Sequence, residues 1–170
     1  MQLTKLHEDF YQIDNMFTQE QIDTIQEEFV HKQCWKKLSQ GNSIREEGTT
    51  NLVEDWEEIH DKVNEYFATT CYPNPTQLWY DWDGYINEVH KDLSPNLSAN
   101  IQVYLSGGAW QMGTYCNIDG TWYSVPYKFN CGYLMFNPTI HEHGMKNPVI
   151  EQRMSMYQSF RVTEEPSPIW

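Results

Sequence analysis

QLWYDWDGYINEVHKDL, residues 77–93, is where the sequence changes character. Before it, apolar residues recur at gaps of three and four. From it onward, short aromatic and β-branched runs alternate with turn residues. The stretch itself predicts two strands, QLWYDW (77–82) and GYINEVH (84–90), separated by Asp83-Gly84. It ends in His90-Lys91-Asp92. Side chains at i and i+2 of a strand project to one face, so this imidazole and this carboxylate can converge on one point.

Working outward, four further runs have strand character: ANIQVYL (99–105), GTWYSV (120–125), GYLMFN (132–137) and RMSMYQSFRV (153–162). Turn signals fall between them at Gly107-Gly108, Asp119-Gly120, Asn130–Gly132 and Asn137-Pro138. Many short strands with regular turns predict a sandwich or barrel. Upstream, Thr18 and Gln21 have the spacing of a capping box, and Ile22, Ile25 and Phe29 continue it as an amphipathic helix. Gly41 and the polar Asn42-Ser43 are expected to end that helix. A second helix is expected to start near Asn51. Val53, Trp56, Ile59, Val63 and Tyr66 form its apolar stripe, and Glu54, Asp55, Glu57 and Glu58 its solvated first turns. Pro73 and Pro75 break the helical pattern. The expected architecture is α+β: one domain over residues 1–170, with a helical cover to about residue 72 packed on one face of an antiparallel β-core over about 77–162. Glu164–Trp170 reads as a tail.

Hydrophobic residues make up 39% and aromatics 15%, enough to fold a core of this size. The formal net charge is −13, and the few basic residues do not cluster: Lys36-Lys37 is the densest pair. That balance weighs against nucleic acid and anionic membranes. No run approaches the roughly 20 apolar residues of a membrane span. The N-terminal MQLTKLHEDF has charges where a secretory signal has an apolar run. Cys34, Cys71, Cys116 and Cys131 are widely spaced, as free thiols of a reducing cytoplasm would be.

A metal ion needs a third ligand besides His90 and Asp92, and HEHGM (141–145) offers two histidines, His141 and His143. Two histidines and one carboxylate on one face of an octahedral ion leave three positions open, the arrangement of non-haem Fe(II) oxygenases. A second H-x-D, His7-Glu8-Asp9, precedes the first helix and reads as solvated polar residues. Arg153 and Ser155 alternate with Met154 and Met156, so they share a strand face. A guanidinium pointing inward among apolar neighbours needs an anionic partner, and a bidentately held carboxylate supplies one.

On these residues the chain resembles the 2-oxoglutarate- and Fe(II)-dependent oxygenases, above all the prolyl-hydroxylase-like branch and its compact phage-encoded members. The family pattern is H-x-D, a distal His, then a basic residue about ten positions on. His143 stands ten residues before Arg153, and His141 twelve. The resemblance therefore implies His90, Asp92 and His143 as Fe(II) ligands and gives His141 an orienting role. It implies Arg153 on the distal carboxylate of 2-oxoglutarate, with Tyr104, Tyr80 and Ser155 beside it. It implies a double-stranded β-helix (jelly roll) fold, dioxygen as oxidant and ascorbate as a supporting reductant. The implied reaction is hydroxylation of a C–H bond, with a prolyl or other peptide side chain as first substrate class and a small molecule second. A phage-encoded member would act in the host cytoplasm. Residues 107–127 match no known substrate class, and Trp110, Tyr115, Trp122 and Tyr123 read either as a substrate rim or as barrel core. Two other readings compete. A cupin-like metalloenzyme would use His141 with His143, but its expected carboxylate, Glu151, comes late. A non-catalytic metal-binding module gives no reason for an inward Arg153.

Overall fold

In a computed structural model, residues 1–31, 36–40, 43–50, 57–94 and 96–162 are described. A nine-stranded antiparallel sheet faces a three-stranded one. The large sheet takes strands in the order β1 (Gln2–His7), β2 (Phe10–Asp14), β10 (Cys131–Phe136), β7 (Leu97–Tyr104), β12 (Arg153–Arg161), β6 (Thr76–Asp81), β4 (Ser43–Thr50) and β3 (Lys36–Gln40). The two-residue β5 (Tyr72–Pro73) adds to the end of β12. The small sheet runs β11 (Glu142–Gly144), β8 (Thr114–Ile118), β9 (Thr121–Val125). The arrangement is the expected double-stranded β-helix.

The two faces of the large sheet differ in chemistry. One packs Leu78, Ile101, Val103, Leu134, Met156 and Phe160 in a cluster with Ile22 and Ile25 of α1 (Gln19–His31) and Ile59 and Val63 of α2 (Glu57–Phe67). Burying such side chains contributes about 1.5–3 kcal/mol each. The other face, turned toward the small sheet, carries Asn100, Gln102, Tyr104, Tyr133, Ser155 and Tyr157. Period-two alternation along β12 produces this split: Met154 and Met156 lie on the helix side, Arg153 and Ser155 on the inner side.

The capping box holds: the Thr18 backbone N–H donates to Gln21 Oε1 at 2.9 Å, and the Gln21 N–H to Thr18 Oγ1 at 3.3 Å. Helix α1, however, ends at His31 rather than at Gly41. The next element is a hairpin, β3–β4, in which Lys36 to Gln40 pair with Glu47 to Ser43. Gly41 and Asn42 lie outside the described residues, as do Cys34, Asn51 to Trp56, where the second helix was expected to begin, and the C-terminal Glu164–Trp170. The N-terminus also forms a hairpin, β1–β2, which the helical reading of the first half omitted. GYINEVH is not a strand. Its bonds to the opposite segment are intermittent, at Tyr85–Val149, Asn87–Met145 and His90–His143. Pro148 has no N–H to give to a ladder there. Asp119 and Gly120 adopt positive φ (51° and 82°) and make the predicted turn between β8 and β9. Cys71, Cys116 and Cys131 are buried free thiols, and no helix among the described residues is long and apolar enough to cross a membrane.

Gly132 sits in β10 between β2 and β7, and a Cβ there would lie 2.0 Å from the Gln102 carbonyl oxygen. Gly132→Ala should therefore force the two strands apart. The expected loss is about 2–3 kcal/mol, a fall in Tm of roughly 5–10 °C. Thermal unfolding by circular dichroism measures it, and an unchanged Tm would contradict this packing.

Candidate metal centre

The centre is built by one backbone pairing. His90 and His143 form an antiparallel bridge: the His90 N–H donates to the His143 carbonyl at 2.9 Å, and the His143 N–H to the His90 carbonyl at 2.8 Å. Directly opposed residues of this kind carry their side chains to the same side, and the two rings are 4.7 Å apart. Gly144 allows the approach. Its φ is 150°, and a Cβ on it would lie 2.7 Å from the Glu88 carbonyl oxygen and 2.8 Å from that of Asn87. Asp92 is fixed two residues on, where its N–H donates to the Pro138 carbonyl at 3.0 Å.

Asp92 Oδ1 lies 3.3 Å from His90 Nε2 and 3.6 Å from His143 Nε2, and ligand atoms of all three residues fall within 4.8 Å of one another. Donors about 2.1 Å from an ion at octahedral right angles are about 3 Å apart, so the spacing fits a cation. The protons are placed for it as well. His90 Nδ1 is 2.7 Å from the Glu88 carbonyl oxygen, and His143 Nδ1 is 3.2 Å from that of His141. A carbonyl only accepts, so each Nδ1 carries the hydrogen and each Nε2 keeps its lone pair toward Asp92. Asn100 Nδ2 donates to Asp92 Oδ2 at 3.2 Å, leaving Oδ1 for the ion. The hydrogen bond to Asp92 raises the His90 pKa, whereas burial lowers that of His143.

His141 stands outside the cluster of His90, Asp92 and His143. Its Nε2 meets Asp9 Oδ2 at 2.6 Å, and Asp9 also bonds the Tyr66 hydroxyl. The H-x-H pairing of a cupin-like site is absent from this geometry. His141 acts through its carbonyl instead, which holds the His143 ring. Asp9 is thereby corrected from a solvated residue to a half-buried anchor of the loop before β11.

Arg153 points inward and is 1% exposed. The sequence suggested a ligand as its partner, yet the protein supplies one. Its Nε and Nη2 donate to Asp81 Oδ2 at 2.9 and 2.6 Å, and Nη1 donates to the Met112 carbonyl at 2.9 Å. One further hydrogen remains on each of Nη1 and Nη2. Burial opposes charge on both partners, but the pairing holds Arg153 above and Asp81 below its ordinary pKa. Arg45 reaches Asp81 from the neighbouring strand, its Nε donating to Oδ1 at 2.6 Å and its Nη2 to Oδ2 at 3.2 Å. The three residues stand in one row across β4, β6 and β12, because Arg45 and Arg153 are both in register with Asp81. Asp81 and Arg45 were missed. The signal for Asp81 was available: it alternates inward with Trp79, as Arg153 does with Ser155.

An internal cavity joins the two halves of the site. Asp92, His143 and Arg153 all line it, with Gln102, Tyr133 and Tyr157 among the other walls. Tyr104 is adjacent, its ring 5.9 Å from the Arg153 guanidinium, but its hydroxyl is engaged by Thr114 Oγ1 at 2.8 Å and the Thr114 N–H at 3.0 Å. Burial pushes its pKa up to about 12. Ser155 is buried on the inner face and accepts from Gln102 Nε2 at 2.9 Å. Tyr80 is not brought to the site. It neighbours Asp81 in β6, so its side chain points the opposite way and packs against the helix-side core. Trp110 and Trp122 are 66% and 43% exposed, and Lys146 Nζ lies over both the Trp122 and Tyr115 rings (3.7 and 4.8 Å). Tyr123 is half-buried and packs against a cluster between the sheets that includes Phe10, Cys116 and Met135.

Neither a family model nor a curated protein sequence matches the chain. Solved structures do, at low identity. An oxidoreductase of the 2OG-Fe(II) oxygenase family from Burkholderia pseudomallei superposes with a TM-score of 0.78 at 10% identity, over 95% of this chain and 89% of that one. A prolyl hydroxylase from Trichoplax adhaerens, in complex with a peptide of hypoxia inducible factor, gives 0.68 at 8% identity, covering 91% and 84%. HygX from Streptomyces hygroscopicus, with nickel, 2-oxoglutarate and hygromycin B bound, gives 0.71 at 10%, covering 94% and 85%. The chain thus has the fold of the 2-oxoglutarate/Fe(II) oxygenases.

Asn100→Ala removes the donor that holds Asp92 Oδ2. Mn(II) binding followed by calorimetry should weaken about ten-fold or more, with the fold intact. Equal affinity in the variant would show that Asp92 needs no such support.

Proposed function

We propose that the chain is an Fe(II)- and 2-oxoglutarate-dependent oxygenase that hydroxylates a C–H bond. The observation that carries this reading is the convergence of His90 Nε2, His143 Nε2 and Asp92 Oδ1, with Asp92 and His143 lining the same cavity as Arg153. Fe(II) held by those three atoms supplies the chemistry: substrate R–H, 2-oxoglutarate and dioxygen become R–OH, succinate and carbon dioxide.

The residues of the chain do the rest. The carbonyls of Glu88 and His141 hold the imidazole protons away from the ion. Asn100 fixes the free oxygen of Asp92. With three protein ligands, an iron ion held here would have room for the 2-oxo acid end of the co-substrate and for dioxygen. The remaining Nη hydrogens of Arg153 receive the distal carboxylate, and the buried walls of the cavity keep bulk water from it. Tyr133 and Tyr157, which line the same cavity, take the neighbouring places that the resemblance assigned to Tyr104 and Tyr80. Tyr104 supports them as a strut between the sheets.

The relatives in fold include a prolyl hydroxylase with a bound peptide and HygX with bound hygromycin B. A peptide side chain such as proline is the substrate class to test first. Small molecules come second.

Incubation with Fe(II), ascorbate, dioxygen and 2-oxoglutarate should yield succinate even without substrate, at a slow uncoupled rate. Asp92→Ala should lower that rate by at least about 100-fold, since it removes one of three ligands. Succinate quantified by mass spectrometry decides the matter. No turnover in the wild type, or equal turnover in the variant, would sink the reading.

A further inference from the structure

Two guanidinium groups share one carboxylate in the row Arg45–Asp81–Arg153, and all three residues are nearly closed to solvent, at 6%, 0% and 1% exposure. Among the described residues the row carries one positive charge more than its carboxylate, and Asp92, which lines the same cavity as Arg153, offsets it. A divalent cation at the ligand cluster would leave the site positive again, and an uncompensated buried charge costs several kcal/mol, so the loaded site calls for an anion. Arg153 borders the cavity, whereas Arg45 does not. Arg45 is instead packed in place, its guanidinium 3.9 Å from the centre of the Trp79 ring and 4.4 Å from that of Tyr85.

We propose that Arg45 is a positioning residue for the co-substrate: by drawing on Asp81 from the neighbouring strand, it leaves Arg153 electropositive toward the cavity and so selects a 2-oxo acid with a second carboxylate. This rests on the oxygenase reading above and deepens it. Without Arg45, Asp81 would neutralise Arg153 completely, and the guanidinium would offer a ligand hydrogen bonds but no net charge. The charges also close around the complete site. Arg45 and Arg153 balance Asp81 and Asp92, and a divalent cation balances a doubly charged 2-oxo diacid. Removing Arg45 leaves the buried site negative by one charge when both are bound. The β3–β4 hairpin, which brings Arg45 into register with Asp81, would then be part of the co-substrate site without touching the ligand.

The test is binding of two ligands to the Mn(II)-loaded full chain under anaerobic conditions. 2-Oxoglutarate has the distal carboxylate. 2-Oxobutanoate has the same chelating end and lacks it. Arg45→Gln removes the charge and keeps a donor for Asp81. It should weaken 2-oxoglutarate roughly ten-fold or more, as expected for one charge lost several ångströms away in a protein interior, and leave 2-oxobutanoate unchanged within about two-fold. Arg45→Lys, which retains the charge, should restore most of the affinity. Arg45→Met, close to arginine in volume, serves where the glutamine variant does not fold. Equal loss for both ligands, no loss for 2-oxoglutarate, or a lysine variant as weak as the glutamine one would overturn the proposal. A wild type that binds Mn(II) but not 2-oxoglutarate would overturn the oxygenase reading and this role of Arg45 together. A wild type that binds it, with an indifferent Arg45, overturns this role alone.

Discussion

Everything at the centre depends on one pair of reciprocal backbone hydrogen bonds, between His90 and His143. These residues are more than fifty positions apart in the chain, and neither lies in a long strand. The pairing fixes their Cα positions opposite one another and thereby the direction of both side chains. Gly144 is its enabling residue, because any side chain there would collide with the carbonyls of Asn87 and Glu88. Once the pair is made, the ring orientations are set by two more carbonyls, those of Glu88 and His141. Little is left to side-chain freedom, which is what a metal centre requires if it is to exist before the metal arrives.

The buried charge row works differently. It gains nothing from exposure to water and would be a poor choice for stability alone, since desolvating two guanidinium groups and a carboxylate offsets much of their attraction. Its register is nevertheless well determined. Arg45, Asp81 and Arg153 occupy directly opposed positions on three successive strands, so the same hydrogen-bond ladder that holds the sheet also sets the distance between the charges. Polar atoms elsewhere on the inner face are similarly committed. Gln102 holds Ser155, and Asn100 holds Asp92. An inner wall of this kind is built around a polar occupant rather than around hydrocarbon.

The parts of this arrangement that were legible in the sequence are those with local causes. The capping box at Thr18 and Gln21, the turn at Asp119-Gly120 and the strand alternation around Arg153 each depend on a few consecutive residues. His90 and Asp92 were readable for the same reason, although the strand assumed for them is an irregular segment. The misplaced pieces have long-range causes. The β3–β4 hairpin comes directly after α1 because β4 can pair with β6, whose residues lie beyond α2 in the chain. Local helical spacing overrode that signal. Tyr80 was assigned by counting residues back from His90, whereas its direction is set by its place in β6, next to an inward Asp81. His141 and Asp9 meet across most of the chain, and no spacing rule reveals that contact.

The division of labour between the two faces of the large sheet explains how one chain of this size carries both a stable core and a polar interior. Helices α1 and α2 place Ile22, Ile25, Ile59 and Val63 on one face, where burial of hydrocarbon supplies the net stability. That freedom lets the opposite face present asparagine, glutamine, serine, tyrosine and arginine to the small sheet without unfolding the protein. The same strands serve both ends because neighbouring residues point to opposite sides. Met154 packs against the helix-side core and Arg153 turns to the cavity, one residue apart, so a one-residue slip of β12 would exchange them. Such a slip would bury a guanidinium among isoleucines and set methionine beside Asp81. The cost of that exchange on both faces at once is what holds β12 in register, and the register of β12 is what keeps Arg153 beside Asp81 and facing the cavity that the metal ligands share.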